Sequence, residues 1–274
     1  MEYFQKKTVL LTGGSSGIGL ATARLLRSHG AHLILVARDA QKLAKTKDEL
    51  AKIQASDAGL ETVAVDIGDE AAVKEALKTL PGGRPVDVLI NHAGITMPGH
   101  FLELPQAKFE ELMRTNYFGP VHVTRTVLPA MVERGRGDVA FVCSLAGLMG
   151  IFGYTAYSAS KFALRGFAEA LRYEMKPKGI RVTVCYPPDT DTPQLAFEDP
   201  FKPAETRAIA GNAKALSADV VATTLLQGIV AGRFHIVPGA SARFADSMSR
   251  HFPGMVRWML DGDVRKAQTK GVKA

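Results

Sequence analysis

Short apolar runs alternate with amphipathic stretches along most of this 274-residue chain. The apolar runs are predicted strands at residues 8–12, 32–37, 61–65, 86–91, 138–144, 181–186 and 235–238. The amphipathic stretches are predicted helices at residues 17–29, 40–56, 70–80, 106–134, 154–176 and 217–232, with a bend expected near Gly119 and Pro120. Strands joined by helical crossovers predict an α/β fold, a doubly wound sheet of seven mainly parallel strands with helices on both faces.

Polar and small residues stand where several of these strands end. Gly13, Asn91, Ser144 and Pro187 each lie at or just past a predicted strand end. Ligands of open α/β sheets bind at the carboxyl ends of the strands. The sequence therefore predicts one ligand site along this edge.

Composition indicates a single soluble domain with a distinct tail. The chain is 46% hydrophobic and contains no linker or internal repeat, so residues 1–240 are predicted to form one domain and residues 241–274 a tail. Cys143 and Cys185 fall in predicted buried strands, which favours reduced thiols and a cytoplasmic setting, and no Cys/His spacing suggests a metal site. No apolar signal segment precedes the first strand, and no uncharged apolar run reaches the roughly 18 residues of a membrane span.

A glycine-rich turn separates the first strand from the first helix. Its residues of interest are Gly13, Ser15, Ser16, Gly17, Ile18 and Gly19. Glycines let a phosphate approach the backbone, and the free amides at the helix N-terminus attract it. The turn therefore predicts a Rossmann-type dinucleotide site. Its spacing differs from the common G-x-G-x-x-G pattern, because three residues separate Gly13 from Gly17.

A second candidate set combines a phenol, an ammonium and a hydroxyl. Tyr157 and Lys161 are spaced i, i+4 and so share one face of a predicted helix, and Ser144 precedes them at a strand end. A cation beside a phenol favours the phenolate, so Lys161 is expected to lower the pKa of Tyr157. Ser144 is expected to hydrogen-bond an oxygen that gains negative charge. This pattern is typical of carbonyl chemistry.

Together these motifs resemble the short-chain dehydrogenase/reductase family over roughly residues 6–240. The resemblance rests on the glycine turn, on the run of Asn91, His92, Ala93 and Gly94, on Asn116, and on Ser144, Tyr157 and Lys161 in this order.

The resemblance implies a role for each residue. Tyr157 would protonate a carbonyl oxygen that Ser144 orients, and Lys161 would hold the nicotinamide ribose. Asn116 would shape its helix so that a water-linked proton relay reaches Lys161. Asn91 would stabilise the sheet and line the cofactor cleft together with Ala93 and Gly94, whereas His92, in place of the commoner Asn, is expected to matter little.

Charge at the end of the second strand predicts the cofactor. An acidic residue there would bind the adenosine ribose and repel a 2′-phosphate, but this chain has Arg38, with Lys42 about one helical turn later. Both cations favour a phosphate, so NADPH/NADP⁺ is expected. Asp66 and Ile67 follow the third strand, where the family contacts the adenine.

The segment after the sixth strand narrows the expected substrate. The run from Tyr186 to Pro193 resembles that of the 3-ketodihydrosphingosine reductases, as do residues 152–157 and 202–207. This resemblance implies NADPH-dependent reduction of the 3-keto group of a lipid-like amino alcohol, with Pro187, Thr190 and Thr192 near the cofactor. The alternatives are a reductase of another apolar ketone, such as a steroid or a 3-ketoacyl chain, and a non-catalytic NADP-sensing protein.

The tail carries an apolar stripe and most of the excess positive charge. The stripe comprises Phe244, Met248, Phe252, Met255, Val256, Met259 and Leu260, with a helix break expected at Pro253. Residues 240–274 hold seven Lys/Arg and three Asp/Glu, so they supply +4 of the net +7. Two interpretations stay open: peripheral contact with an anionic membrane surface, or packing on the domain, over the substrate cleft or against a partner subunit.

Two partner expectations complete the sequence argument. Nucleic acid is not expected as a partner, because the excess charge lies in the tail and no DNA-binding motif accompanies it. The resemblance implies a homodimer or homotetramer built on the long helices.

Overall fold

A seven-stranded parallel sheet forms the centre of the protein. The computed structural model describes residues 2–53, 58–211 and 214–271. The strands are β1 (Thr8–Thr12), β2 (His32–Ala37), β3 (Leu60–Ala64), β4 (Val88–Asn91), β5 (Gly137–Val142), β6 (Ile180–Cys185), β7 (Thr190–Asp191), β8 (Leu216–Ser217) and β9 (His235–Ile236). The main sheet has the order β3-β2-β1-β4-β5-β6-β9, and all of its pairs are parallel. The predicted fold class is confirmed.

Helices connect the strands and cover both faces. They are α1 (Gly17–Ser28), α2 (Ala40–Ala51), α3 (Glu70–Leu77), α4 (Gln106–Met113), α5 (Gly119–Glu133), α6 (Thr155–Met175), α7 (Pro193–Glu198), α8 (Ala204–Ala210), α9 (Ala218–Val230), α10 (Ala240–His251) and α11 (Pro253–Gly271). Most predicted elements occur where the sequence places them, with ends that differ by a few residues. The predicted end of the second helix, at residues 54–56, lies outside the described residues.

Alternation along the strands divides the core into two layers. Leu10, Ile34 and Leu89 point to the face covered by α3, α5 and α6, whereas their neighbours Val9 and Leu11 point to the face covered by α1, α2 and α9. Side chains of successive strand residues alternate between faces, so strands buried on both sides become almost entirely apolar. This burial holds the strand ends, and the residues just after them, in fixed positions.

A π-helical turn interrupts the long helical region at Arg114–Phe118. It ends at Phe118, directly before Gly119 and Pro120, where the sequence analysis expects a bend. Pro120 lies in the first turn of α5, immediately after the π turn. Asn116 lies inside the π turn, and the extra residue in that turn changes the direction of its side chain.

Residues 190–211 and 214–217 form a lobe above the carboxyl edge of the sheet. Its two ends pair as the short parallel strands β7 and β8, with Thr190 opposite Leu216. Between them lie α7 and α8, two short helices that the sequence analysis does not predict. The lobe covers the end of the sheet at which Gly13 and Ser144 stand.

The C-terminal helices pack against the domain. The chain breaks at Phe252, between α10 and α11, as expected. Asp246 on α10 accepts from His235 Nε2 and Arg250 Nε, both at 2.8 Å, and α11 lies along α8. Phe252 and Trp258 nevertheless remain 57% and 69% exposed. Among the described residues, no helix is both long enough and apolar enough to cross a bilayer.

Candidate active site

The glycine turn passes so close to neighbouring backbone that side chains are excluded. Gly13 has φ of +72°, and a Cβ there would lie 2.8 Å from the Cα of Ala93. A Cβ on Gly19 would lie 2.1 Å from the carbonyl oxygen of Gly13. Ser16 caps α1 without a side-chain hydrogen bond to the helix, so the first amides of α1 stay available to a ligand. These residues fit a dinucleotide phosphate.

A cavity of about 300 Å³ opens in front of this turn. The predicted cofactor residues that line it are Gly13, Ser15, Ser16, Gly17, Ile18, Arg38, Lys42, Ile67, Ala93, Gly94 and Thr192. Gly19 supports the turn from behind. Asn91 does not line the cavity, because its buried side chain donates to Thr124 Oγ1 at 3.1 Å.

Charge at the adenosine end is less simple than the sequence indicates. Arg38 Nη1 lies 4.0 Å from Asp66 Oδ2, and both side chains are about half exposed, at 54% and 48%. Asp66 therefore offers Arg38 a carboxylate partner that the sequence argument does not consider. Asp39 caps α2 by accepting from the backbone N–H of Lys42 at 2.9 Å, and Lys42 lines the cavity.

His92 has a more central place than the sequence analysis expects. A Cβ added at Gly19 would lie 2.7 Å from His92 Nδ1, and one at Gly13 would lie 2.9 Å from the same atom. Burial, helped by the nearby Lys161 charge, lowers the pKa of His92 to about 4, so the imidazole is neutral at physiological pH. His92 packs under the glycine turn and lines both this cavity and the next one.

The second cavity, of about 450 Å³, contains the predicted proton-transfer residues. Ser144, Tyr157, Lys161, Pro187 and Thr190 line it. Ile18, Gly94 and Thr192 line both cavities, so the two spaces meet at these residues. The structure therefore brings the two halves of the predicted site together.

Ser144 begins a short 3₁₀ turn directly after β5. Its hydroxyl accepts from the Ala146 N–H at 3.2 Å, and the following residue, Leu145, donates its N–H to the Pro187 carbonyl at 3.0 Å. This bond joins the loop after β5 to the loop after β6. The hydroxyl lies beside the phenol of Tyr157 and lowers the pKa of that phenol.

The net pKa shift of Tyr157 is upward, which corrects the sequence argument. Burial is the largest cause and raises the pKa, because a buried phenolate loses its hydration. The hydrogen bond with Ser144 lowers the pKa, and Cys143, Glu198 and Asp189 raise it further. Lys161 Nζ lies 5.7 Å from the centroid of the Tyr157 ring and donates to the Val142 carbonyl at 3.2 Å. Tyr157 is therefore a neutral phenol in the folded protein at physiological pH.

Asn116 ties the π turn to the segment after β4. Its Oδ1 accepts from the Ile95 N–H at 2.8 Å, and its Nδ2 donates to the Ile95 carbonyl at 2.9 Å and to Ser160 Oγ at 3.0 Å. A Cβ added at Gly94 would lie 3.1 Å from Asn116 Oδ1 and 3.4 Å from Lys161 Nζ. Asn116 and Lys161 thus approach each other across the space that Gly94 leaves open.

The loop after β6 closes the site from above. Thr190 and Thr192 each bond backward along the loop, to the carbonyls of Pro188 at 2.8 Å and of Thr190 at 3.1 Å. Thr192 also caps α7 by accepting from the Leu195 N–H at 3.3 Å. Its Cγ2 would lie 2.9 Å from a Cβ at Gly17, so the start of the lobe rests on the glycine turn.

Several residues of the second cavity are absent from the sequence prediction. Tyr154, Asp189, Glu198 and Lys202 supply polar groups, and α10 adds Ala242 and Ala245 to the wall. Ala242 and Ala245 show that the tail helix borders the cavity, which agrees with one of the two interpretations of the tail. Tyr154, Asp189 and Lys202 lie in runs that carry the sequence resemblance, but the sequence analysis assigns no site role to them. Glu198, Ala242 and Ala245 lie in none of these runs, and only the fold brings them to the cavity of Tyr157.

A phosphate cradle that opens directly onto a neutral phenol and a buried ammonium is the arrangement of an oxidoreductase that uses a nicotinamide dinucleotide. The family model described as short chain dehydrogenase matches residues 7–201. The chain belongs to this family.

Curated relatives are similar over most of the chain. A 3-dehydrosphinganine reductase of Danio rerio is 45% identical over 232 residues, which cover 82% of this chain and 69% of that protein. A 3-ketodihydrosphingosine reductase of Bos taurus is 43% identical over 247 residues, which cover 88% of this chain and 74% of that protein.

Solved structures share the fold. The crystal structure of levodione reductase superposes with a TM-score of 0.80 at 27% identity, over 88% of this chain and 99% of that one. A short chain dehydrogenase/reductase from Burkholderia phymatum, solved in complex with NAD, has a TM-score of 0.79 at 24% identity, over 92% of this chain and 95% of that one.

Proposed function

We propose that this oxidoreductase reduces the 3-keto group of 3-ketodihydrosphingosine with NADPH. The observation that carries the proposal is the similarity to reductases named for this substrate, at 45% and 43% identity over more than four fifths of the chain. The joined cavities support it, because one fits the dinucleotide and the other holds a proton donor beside apolar walls.

Each predicted residue acts on a defined atom in the proposed mechanism. The cofactor, when bound along the glycine turn, supplies the hydride that the ketone carbon accepts. Tyr157 donates its phenolic proton to the carbonyl oxygen, and the Ser144 hydroxyl hydrogen-bonds the same oxygen while its negative charge develops. Lys161 lies next to the cofactor cavity and holds the nicotinamide ribose, and Asn116 keeps the Gly94 segment in position.

The raised pKa of Tyr157 supports the direction of the reaction. Burial keeps the phenol protonated, so it is ready to donate a proton at neutral pH. Oxidation of the alcohol would instead need the phenolate as a base. Tyr157 of the free protein is therefore in the protonation state that reduction uses.

NADPH is preferred to NADH on the basis of charge. Arg38 and Lys42 both line the adenosine end of the cofactor cavity, where a 2′-phosphate would lie. A forked guanidinium binds a phosphate with two hydrogen bonds, and such binding would replace the 4.0 Å approach of Arg38 to Asp66.

The C-terminal helices are proposed to contact an anionic lipid surface, in a cytoplasmic protein that is peripheral to a membrane. Phe244, Phe252, Trp258 and Met259 are exposed, and the segment that contains them carries a net charge of +4. Apolar side chains among cations favour binding to such surfaces, in which a long-chain ketone dissolves. Sedimentation with anionic and with zwitterionic vesicles tests this contact. We expect the protein to sediment with the anionic vesicles alone. Sedimentation with neither type of vesicle, or equally with both, would overturn the proposed contact. The homo-oligomer implied by the family stays a prediction.

The function is tested by following NADPH oxidation with 3-ketodihydrosphingosine in detergent micelles and by identifying sphinganine by mass spectrometry. Tyr157→Phe serves as the control variant, and its turnover should fall about 10²- to 10⁴-fold while NADPH binding is kept. Faster reduction of a steroid ketone or a 3-ketoacyl chain would favour the other reductase. NADPH binding without oxidation by any ketone would favour a non-catalytic sensor.

A further inference from the structure

A buried carboxylate lies in the wall of the cavity that contains Tyr157. Glu198 ends α7, is only 7% exposed, and lines the cavity together with Tyr154 and Tyr157. Burying a charged group costs free energy unless the group is paired. A Glu at a helix end usually lies at the surface, where it avoids this cost. A carboxylate held here is therefore expected to have a role in the cavity.

Glu198 is close enough to the reacting group to influence it. The rings of Tyr154 and Tyr157 are 5.7 Å apart between centroids, and the Tyr154 hydroxyl lies beside the Glu198 carboxylate. Glu198 and Asp189 both help to raise the pKa of Tyr157. Burial raises the pKa of Glu198 itself, while Thr96, Lys202 and Tyr154 lower it, so a cation bound in the cavity would favour its charged form. A substrate oxygen at Tyr157 would therefore lie near a negative field.

The pairing of Glu198 within the protein is incomplete. Lys202 Nζ lies 3.5 Å from Glu198 Oε1, but it is shared with Asp199, whose Oδ1 is 3.6 Å away. A carboxylate offers about four acceptor positions, and the neighbours of this one include Lys202 and the hydroxyl of Tyr154. The hydroxyl of Thr96, which is 6% exposed, lies beside the carboxylate yet completes no hydrogen bond of normal geometry among the described residues.

The remaining cavity wall is mainly apolar. The residues that form it include Ile95, Val142, Leu145, Ile151, Leu195, Ile209 and Leu216. Such a surface suits a hydrocarbon chain. The polar part of the lining holds two acids, Glu198 and Asp189, and three cations, Lys161, Lys202 and Lys214. A molecule that is apolar along its length and cationic next to its carbonyl can use the apolar wall and pair with a carboxylate of this lining.

We propose that Glu198 is the specificity-determining residue that binds the ammonium group of an α-amino ketone, and that it thereby selects amino ketones over neutral ketones of the same length. The inference rests on the proposed function. The ammonium lies on the carbon next to the carbonyl, so an oxygen held by Tyr157 and Ser144 keeps the nitrogen in the same cavity that Glu198 lines. Asp189 strengthens the field there without being buried.

The test compares wild type, Glu198→Gln and the matched control Asp199→Asn. Asp199 is the next residue and also contacts Lys202, but it is exposed and outside the cavity. The substrates are 3-ketodihydrosphingosine, its N-acetyl derivative and a long-chain 3-ketone without the amine. In Glu198→Gln the ratio of kcat/KM for the amino ketone to that for the deaminated ketone should fall about 10- to 100-fold, the range of a charged hydrogen bond. Glu198→Asp should recover part of this ratio, and Asp199→Asn should keep it.

An unchanged kcat/KM ratio in Glu198→Gln, or an equal fall of this ratio in Asp199→Asn, would overturn the proposed binding of the ammonium group by Glu198. Neither result would contradict the proposed reductase function. Binding of hexadecylamine and of hexadecanol, measured by calorimetry with NADP⁺ present, separates the two proposals. If the wild type does not reduce the amino ketone, the function fails. Tighter binding of hexadecylamine than of hexadecanol, lost in Glu198→Gln, would then still support ammonium binding by Glu198. Equal binding of the two ligands to the wild type would overturn it.

Discussion

Asn116 provides a quantitative test of how the site is held together. It is fully buried and makes three side-chain hydrogen bonds, two to the backbone of Ile95 and one to Ser160 Oγ. Asn91 is equally buried but makes one such bond, to Thr124. The two residues have the same side chain and differ in how many partners they satisfy.

The expected costs follow from these partners. In Asn116→Ala, the N–H and carbonyl of Ile95 each lose a partner at a cost of about 1–3 kcal/mol, and Ser160 loses a bond worth about 1 kcal/mol. We expect the free energy of unfolding to fall by about 3–5 kcal/mol, because Ile95 borders the cavity and water can replace part of the loss. Asn91→Ala should cost about 1 kcal/mol for its single bond.

Chemical denaturation of both variants and the wild type, without cofactor, measures this difference. The expected gap of about 2–4 kcal/mol between the variants corresponds to clearly separated denaturation midpoints at similar slopes. Equal destabilisation to within about 0.5 kcal/mol would refute the claim that the Asn116 bonds hold the Gly94 segment in place.

Three further predictions concern the cofactor cradle. Arg38→Asp should lower the ratio of NADPH to NADH affinity about 10- to 100-fold in binding titrations, whereas Arg24→Asp, a charge-matched change outside the cavity, should not. Gly19→Ala should weaken cofactor binding and destabilise the fold by about 1–3 kcal/mol, because its Cβ would meet the carbonyl of Gly13. The control Gly166→Ala has open space around its Cβ and should stabilise α6 by up to about 1 kcal/mol. Thermal unfolding measures both changes in stability. The pKa of His92 is about 4 in the folded protein and about 6.5 when unfolded, so the unfolded state takes up a proton first as the pH falls through this window. Stability should therefore decrease from pH about 6.5 to 4, by up to about 3 kcal/mol, and His92→Asn should flatten that part of the profile; an unchanged slope would contradict the pKa.

The strands and long helices could be predicted because the local pattern of apolar and polar residues shows which of their residues are buried. β1 and β2 occur at the predicted residues, since a strand buried on both faces needs a continuous apolar run. Boundaries elsewhere differ because capping contacts, such as Ser144 starting a 3₁₀ turn instead of ending β5, depend on neighbouring loops. The short helices α7 and α8 escaped prediction because they cover a cavity and not the main core.

The candidate site was predictable only where its residues are close in sequence. The spacing of Tyr157 and Lys161 places both on α6, but it contains no information about burial, which decides the direction of the Tyr157 pKa. Glu198 is 41 positions from Tyr157 and reaches the cavity only through the folded lobe. His92 was undervalued because its importance comes from its contact with glycines that lie far from it in the sequence.

The pairing of β7 with β8 brings together the two ends of the lobe, whose described residues are 190–211 and 214–217. Because these ends lie side by side in a two-stranded sheet of their own, the cost of closing the loop between them grows only slowly with its length. A lobe of another size can therefore be exchanged during evolution, or grafted by design, without a change in the register of the seven strands. The constraints on such a replacement are the contacts of the lobe with the rest of the protein. They include the Thr192 methyl group against Gly17, the Thr206 hydroxyl that donates to the Phe152 carbonyl, and the packing of α8 along α11.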